Sequence, residues 1–508
     1  MEKLNLIDMD GQIEWIKSIS RMSPLLWRNI ELTAYKSSAV TKYTGVITPM
    51  RYKVDENSLN LCKEDSMKMR NEILHYVEKD YEYVYEIYEK CLNYCKEYLA
   101  FCIQNKNIDF ANMGLQELVF LFEEYITKNI AVTTFRPIVF YLDGIISELI
   151  KKEISRLQDE GEQIELNIDI IVTKKDLPFV EQQKDLLKIG ELIENNEELK
   201  EIIKVYGEDA YDKFPQEIRT LIDEHTFRFG WITTQRLRGK PLEIVDVLKS
   251  LKELIGNCKK KLNQIEESVK AKQCELESLK NKSTSLKQYL EAAQIYAYLR
   301  TYRMDIIMEG DYLMKGLYNE IAARCKMNYD DLIYCTLDEI MHCLYNMGID
   351  RKTIEKRKRY FVSYLIDDEI YTYEPDNLLM EECTCKISVN EKITGMVAQR
   401  GCCEGFAAIV KNRQDLEKVN KDSIIISPMT TPEMIIGIIK AKGIVTDEGG
   451  IACHAAQISR EFKIPCIIGT QKATKIIKDG DYIELCANGV TGSVTIKNLC
   501  KEKSSGQE

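Results

Sequence analysis

The sequence predicts a multidomain protein, a mainly α-helical N-terminal region followed by a C-terminal α/β domain. Three observations lead there. Up to about residue 360, apolar residues recur at helical spacing and Gly and Pro are sparse. After about residue 385, glycine becomes frequent and β-branched runs shorten to strand length. Between the two, apolar residues from Ile255 to Leu290 follow alternating three- and four-residue steps.

The helical region is read first. Tyr81, Tyr85, Tyr88 and Leu92 share one helical stripe and are expected in the core. Residues 1–240 are expected to form a helical domain. Residues 241–375 form a long-helix region with a heptad seam: Ile255, Cys258, Leu262, Ile265, Val269, Leu276, Leu279, Leu286 and Leu290, with Lys272 and Ser283 in the remaining seam positions. A coiled coil is expected there, packed on a helix of the same chain or of a second subunit.

In residues 376–500, Ile424–Ile426, Gly443–Thr446, Cys466–Gly469, Tyr482–Leu485 and Ser493–Ile496 read as strands. Thr431–Lys440 and His454–Phe462 read as helices between them, which gives the α/β class. Glu374-Pro375-Asp376-Asn377 is the expected linker, and residues 501–508 the expected disordered tail.

Bulk properties narrow the function. The 508-residue chain is 45% hydrophobic and 30% charged, enough for true cores. A net charge of -11 repels a phosphate backbone, so no nucleic acid is expected as a general partner. The runs Lys259-Lys260-Lys261 and Arg351 to Arg359 read as solvated helix faces. No apolar leader segment is read at the start, and Ile130–Ile150 is interrupted by Arg136, Pro137 and Asp143. No membrane span is therefore expected, and the chain reads as cytoplasmic. The 17 cysteines lack paired zinc spacings, Cys383/Cys385 and Cys402/Cys403 included, so no metal site is expected and the thiols read as reduced and mostly buried.

The chemistry concentrates in Thr446 to Pro465. A strand ends near Thr446, Gly449 and Gly450 allow a tight turn, and His454 opens a helix whose Ala455 and Ala456 permit close packing. A helix N-terminus offers unpaired N–H donors and the positive end of a dipole, which suit a phosphate carried there and disfavour an imidazolium. Histidine can be a covalent nucleophile that divides one transfer into two. Of the four histidines, His75, His225 and His342 lie in helical surroundings without such a turn and read as structural.

This stretch resembles the phosphohistidine, swivelling domain of the phosphoenolpyruvate-utilising enzymes, which include phosphoenolpyruvate synthase, pyruvate phosphate dikinase and rifampicin phosphotransferase. Their signature is similar to T-D-x-G-G-x-x-[CS]-H-A-A-x-x-[AS]-R-E-x-x-I-P, and every fixed position is matched from Thr446 to Pro465. Ser427 to Glu433 is similar to the family's T-x-P segment. Gly395 to Val410 resembles its entry strands, with Cys402 and Glu404 in place of small residues. Ile468-Gly469-Thr470, Asp479-Gly480-Asp481 and Gly492-Ser493-Val494 resemble its closing strands and turns. The resemblance implies that His454 is the phosphorylated residue. Thr446, Gly449, Gly450 and Cys453 would support the phosphate loop. Arg460 would either hold phosphate or brace the domain. Some relatives carry a regulatory threonine where this chain has Ala452, so that regulation is not implied.

A weaker resemblance covers His225 to Leu248, Leu299 to Arg303 and Asp330 to Glu339, similar to the helical region before the phosphohistidine domain of rifampicin phosphotransferases. It implies a candidate acceptor site at Trp231, Arg300 and Arg303. The family's ATP-grasp domain has no counterpart in the helical half, and no phosphoenolpyruvate-binding barrel is read after Lys497. The expected function is thus a phosphotransferase component whose His454 carries phosphoryl from a separate ATP-grasp protein, with ATP and Mg at that partner's site and no cofactor bound permanently. The acceptor would be pyruvate, an alcohol or phenol, or a protein. The alternatives are a non-catalytic phosphocarrier or regulatory protein whose helical region docks a partner, and a degenerate relative without a phosphoryl role.

Overall fold

The computed structural model describes residues 12–20, 22–164, 171, 173–234, 236–345, 348–374, 393–411, 413–430, 434–449, 453–489 and 491–498. The expected linker beyond Glu374, the expected tail, Gly450, Ala452, Cys383, Cys385 and the start of the expected 431–440 helix lie outside them. Two compact units are present, each discontinuous in sequence.

The first unit comprises residues 1–146, 234–240 and 302–381. Its helices include Leu25–Ala34, Lys63–Lys79, Glu82–Asn105, the first two thirds of Leu115–Asp159, Lys315–Arg324 and Leu337–Leu344. The buried stripe of Glu82–Asn105 is Val84, Ile87, Cys91, Cys95, Tyr98 and Cys102. Tyr81, Tyr85 and Tyr88 flank that stripe half-buried, and of the expected core residues only Leu92 is fully inside.

This unit also holds strands that helical spacing did not predict. β1 (Trp15–Ser20), β2 (Tyr52–Asp55), β3 (Ser58–Cys62), β4 (Val362–Ile366) and β5 (Glu369–Tyr373) form an antiparallel sheet in the order β1-β3-β2-β4-β5. β2 pairs with β4, Tyr52 opposite Leu365, so sequence-distant segments close the sheet. The Leu115–Asp159 helix contains Pro137 in its interior. Among the described residues it is the one helix long and apolar enough to cross a membrane, and 61% of its most apolar stretch is buried inside the protein.

The second unit comprises residues 147–233, 241–301 and 382–508. Its helices Pro178–Glu194, Gln216–Phe229, Ile244–Leu254 and Cys258–Lys280 pack together, and Cys258–Lys280 also packs on the helix His454–Phe462 of the α/β part. The expected single long helix is two. Cys258–Lys280 ends at Asn281 and the chain restarts as Thr284–Leu313, with Ser283 accepting at the new N-terminus from Leu286 N at 3.0 Å. Cys258, Ile265 and Leu276 bury their side chains before the break, Leu286 and Leu290 after it. The seam therefore packs within this chain, against Pro178–Glu194 among others.

The α/β part is a closed barrel of β6 (Ile393–Gln399), β7 (Gly401–Ile409), β8 (Ser423–Ser427), β9 (Gly443–Thr446), β10 (Cys466–Ile468), β11 (Tyr482–Ala487) and β12 (Thr491–Asn498). The order is β10-β6-β12-β11-β7-β8-β9, with β7, β8, β9 and β10 mutually parallel and the other pairs antiparallel. All five strands read from the sequence are present. Ile424, Ile426, Val445, Ile467, Ile483 and Leu485 fill the core. The expected helix His454–Phe462 is present with the same bounds, and the described part of the other runs Ile435–Ile438. Closure removes open sheet edges, which suits a small domain with few helices. Most of the described cysteines are buried and all of those recorded are free thiols.

Candidate active site

Parallel strands place the loops after β8 and β9 at the same barrel end, where α/β domains gather functional groups. Ser427 and Thr446 lie side by side as the last paired residues of these strands. Each then turns on its own hydroxyl: Ser427 Oγ donates to Met429 O at 2.7 Å and Thr446 Oγ1 to Glu448 O at 2.7 Å. The first turn delivers Thr430, the second leads to His454.

Asp447 fixes the second loop. It is buried and accepts from Thr470 Oγ1 at 2.9 Å, from Thr474 N at 3.3 Å and from the Thr474 hydroxyl. Gly449 follows at φ 135°, in the region glycine favours, and a Cβ there would stand 2.8 Å from Cys453 Sγ. Cys453 caps the helix, its sulfur accepting from Ala456 N at 3.4 Å. Burial pushes the Cys453 thiol up from its ordinary pKa, with Arg300 and Arg460 pulling the other way. A thiol held protonated is a poor nucleophile.

His454 is the first residue of its helix, and Ala455 and Ala456 behind it are buried. Its Nδ1 is 3.0 Å from Thr430 Oγ1, a hydrogen bond whose direction depends on the ring tautomer. With Nδ1–H donating, the lone pair stands on Nε2. Nε2 is itself buried, and the Phe179 ring meets the imidazole edge-on at 5.5 Å between centroids. Thr430 and Phe179 were not singled out from the sequence. Thr430 lay inside the recognised T-x-P segment, whereas nothing near Phe179 in the sequence points to His454.

Arg460 is 2% exposed and donates to Ala398 O and Ile171 O, both at 3.4 Å. Lys272 Nζ donates to Arg460 O at 2.5 Å, and Gln457 Nε2 to Ala297 O at 2.6 Å. Thr301 Oγ1 donates to Gln457 Oε1 at 2.5 Å. The helix that begins with His454 is thus held by the helical part of its own unit. Among the acceptor candidates, Trp231 and Arg300 belong to this unit and Arg303 to the other. Trp231 is buried in a 3-10 turn, Arg300 acts electrostatically on Cys453, and Arg303 lies beside Tyr35 and Cys91. His225 is buried in a structural setting, with Nδ1 2.6 Å from Asp185 Oδ2 and Nε2 3.1 Å from Gln182 Nε2.

The site is thus a histidine at a helix start, beyond a glycine turn, at one end of a closed barrel. Residues 419–489 match the mobile domain of the phosphoenolpyruvate-utilising enzymes. The chain is 33% identical over 128 residues to the probable phosphoenolpyruvate synthase of Methanothermobacter thermautotrophicus, covering 24% of this chain and 19% of that protein. It is 34% identical over 151 residues to the phosphoenolpyruvate synthase of Pyrococcus furiosus, 28% of this chain and 18% of that one. It is 27% identical over 294 residues to the rifampicin phosphotransferase of Bacillus cereus, 56% of this chain and 31% of that one. The chain therefore spans less than a third of the length of each of these relatives. Domain and relatives together support a phosphoryl-transfer role of the phosphotransferase type.

Proposed function

We propose that this chain is a phosphotransferase component in which His454 receives a phosphoryl group and passes it to an acceptor. The observation that carries the reading is the pairing of His454 Nδ1 with Thr430 at the start of a helix, inside a matched mobile domain. Nε2 attacks the donor phosphorus, a P–N bond forms and the P–O bond to the leaving group breaks. In the second half an acceptor oxygen attacks, the P–N pair returns to the ring and the acceptor's proton is released. Backbone N–H groups and the dipole at the helix start favour the bound phosphoryl oxygens. Gly449 shapes the loop, Cys453 caps, and Arg460 braces the helix through Ala398 and Ile171.

The donor is a separate ATP-grasp protein that supplies ATP and Mg from its own site. Because Nε2 is buried beside Phe179, loading requires the barrel to leave the helices that hold it. Domain motions of this kind take microseconds to milliseconds and can limit turnover. The acceptor is a small molecule such as pyruvate, an alcohol or a phenol.

The test is to incubate the full chain with an ATP-grasp partner and γ- or β-labelled ATP, and in parallel with labelled phosphoenolpyruvate. Acid-labile, alkali-stable label should appear and vanish in His454→Ala. Label that persists in that variant, or no label from either donor, overturns the reading.

A further inference from the structure

The core of the first unit contains more arginine than packing calls for. Arg28 is 0% exposed, Arg236 2% and Arg303 3%, and they come from three separate stretches of chain. Fully buried arginine is rare unless an anion answers it. All three act electrostatically on Tyr35, which marks a common centre. Arg136 joins from a fourth stretch, its Nη1 3.3 Å from the Tyr35 hydroxyl.

Protein acceptors serve part of this set. Glu31 is shared by Arg28, at 2.8 Å, and by Arg136. Arg28 Nε donates to Asp55 O at 2.9 Å. Burial still dominates at Arg28, whose pKa is lowered to about 10 despite Asp55 and Glu56 nearby. Arg236 donates to Ser23 Oγ and lies over the Trp27 ring, 5.3 Å from its centroid.

Arg303 differs. Its Nε and Nη1 are buried and have no hydrogen-bond partner among the described residues. These are two donors on different edges of one planar guanidinium, each able to give a charge-assisted hydrogen bond to an oxyanion. The other neighbours it acts on, Tyr35 and Cys91, are weak acceptors. A buried cation with two idle donors is costly to fold unless a ligand answers it. In the same unit, Arg236 and Leu237 hold consecutive left-handed backbone conformations, φ 44° and 67°. Such strain in non-glycine residues persists where the surroundings over-determine it and clusters at ligand sites.

We propose that Arg303, with Arg28 and Arg236 around Tyr35, forms an oxyanion-binding site in the first unit that takes the carboxylate or phosphate group of a small molecule. The proposal deepens the phosphotransferase reading by giving the acceptor's chemical class, and rests on that reading only for the word acceptor. A neutral alcohol or phenol would leave the Arg303 donors unanswered. A small carboxylate, or a molecule already carrying phosphate, would answer them.

The experiment is calorimetric titration of the full chain with inorganic phosphate and with pyruvate, at constant ionic strength set with chloride. Saturable binding of at least one is expected, and which one binds separates a phosphate from a carboxylate ligand. Arg303→Met should abolish it. Should that variant fail to fold by circular dichroism, Arg303→Lys decides: it keeps the charge, loses the planar guanidinium with its separate donors, and should weaken binding about tenfold. Absence of saturable binding of either anion overturns the proposal, as does unchanged affinity in Arg303→Met or Arg303→Lys. Labelling of His454, measured on the same samples, separates the two readings. Lost anion binding with intact labelling is the expected result for Arg303→Met. Failure of wild-type labelling would sink the phosphohistidine reading without touching the titration.

Discussion

Thr430 and His454 come from different loops and meet at 3.0 Å, hydroxyl to Nδ1. The contact does two things at once. It orients the imidazole, and when Nδ1 carries the proton it leaves the lone pair on the opposite nitrogen. Thr430→Val keeps the shape and removes the acceptor. A hydrogen bond of this kind contributes about 1 kcal/mol, so the rate of His454 labelling should fall roughly fivefold to tenfold. The measurement is a time course of acid-labile label, with the melting temperature as a control for folding. An unchanged rate would mean that the hydroxyl does not set the ring.

Cys453 stands beside His454 and invites the reading that sulfur, not nitrogen, takes the phosphoryl group. The structure argues otherwise, because the sulfur caps the helix and burial holds it protonated. Serine is a better cap than cysteine and cannot form a thiophosphate. Cys453→Ser should therefore retain acid-labile label at His454 to within about twofold, given the small net worth of one cap bond. Loss of label with the fold intact would return the thiol to the mechanism.

The surroundings of His454 were legible because Thr446 to Pro465 resembles a family signature along its length; the glycine turn and small-residue helix alone also fit a merely structural histidine. The barrel strands were legible for a different reason, since short β-branched runs separated by turn residues announce themselves locally. Thr430 sat in a segment that was recognised, yet its role depends on β8 and β9 lying side by side, which is a register and not a motif. Phe179 is a contact of tertiary packing alone. The sheet β1–β5 was hidden because its strands are short, partly polar and drawn from the two ends of the helical region. The break at Asn281 was hidden because the apolar steps continue across it, while the backbone does not.

A second hidden feature is the buried acid Asp311. It accepts from Tyr125 Oη at 2.6 Å, and Tyr125 in turn receives from Tyr98 at 3.2 Å and Tyr318 at 3.4 Å. Burial raises the Asp311 carboxyl from 3.8 to about 7, with the Tyr125 bond opposing. A folded-state value above the unfolded one means that the native state binds the extra proton. Stability is then greatest at low pH with respect to this group and declines as pH rises from about 4 through about 7. The full effect is on the order of 4 kcal/mol. Asp311→Asn keeps an acceptor for Tyr125 and cannot ionise. Denaturant midpoints at pH 5 and pH 8 should differ less in the variant than in the parent. Equal differences would show that Asp311 does not titrate in this window.

Gly449 is demanded twice over, by its backbone and by its neighbour. At φ 135° an alanine is strained, and its Cβ would press on Cys453 Sγ at 2.8 Å, the atom that caps the helix of His454. Relief would come from moving either the loop or the cap, and both carry the histidine. Gly449→Ala should therefore destabilise the protein by about 1–2 kcal/mol and slow labelling beyond what the stability loss accounts for. Gly310→Ala offers the contrast. Its Cβ would meet the Tyr98 ring at 2.3–2.5 Å in the first unit, where helical backbone is unstrained but the space is taken. That overpacking should cost about 1–3 kcal/mol, while labelling of the folded fraction stays near the parent rate. If the two variants lowered labelling equally at matched folded fraction, the loop geometry at Gly449 would have no special bearing on His454.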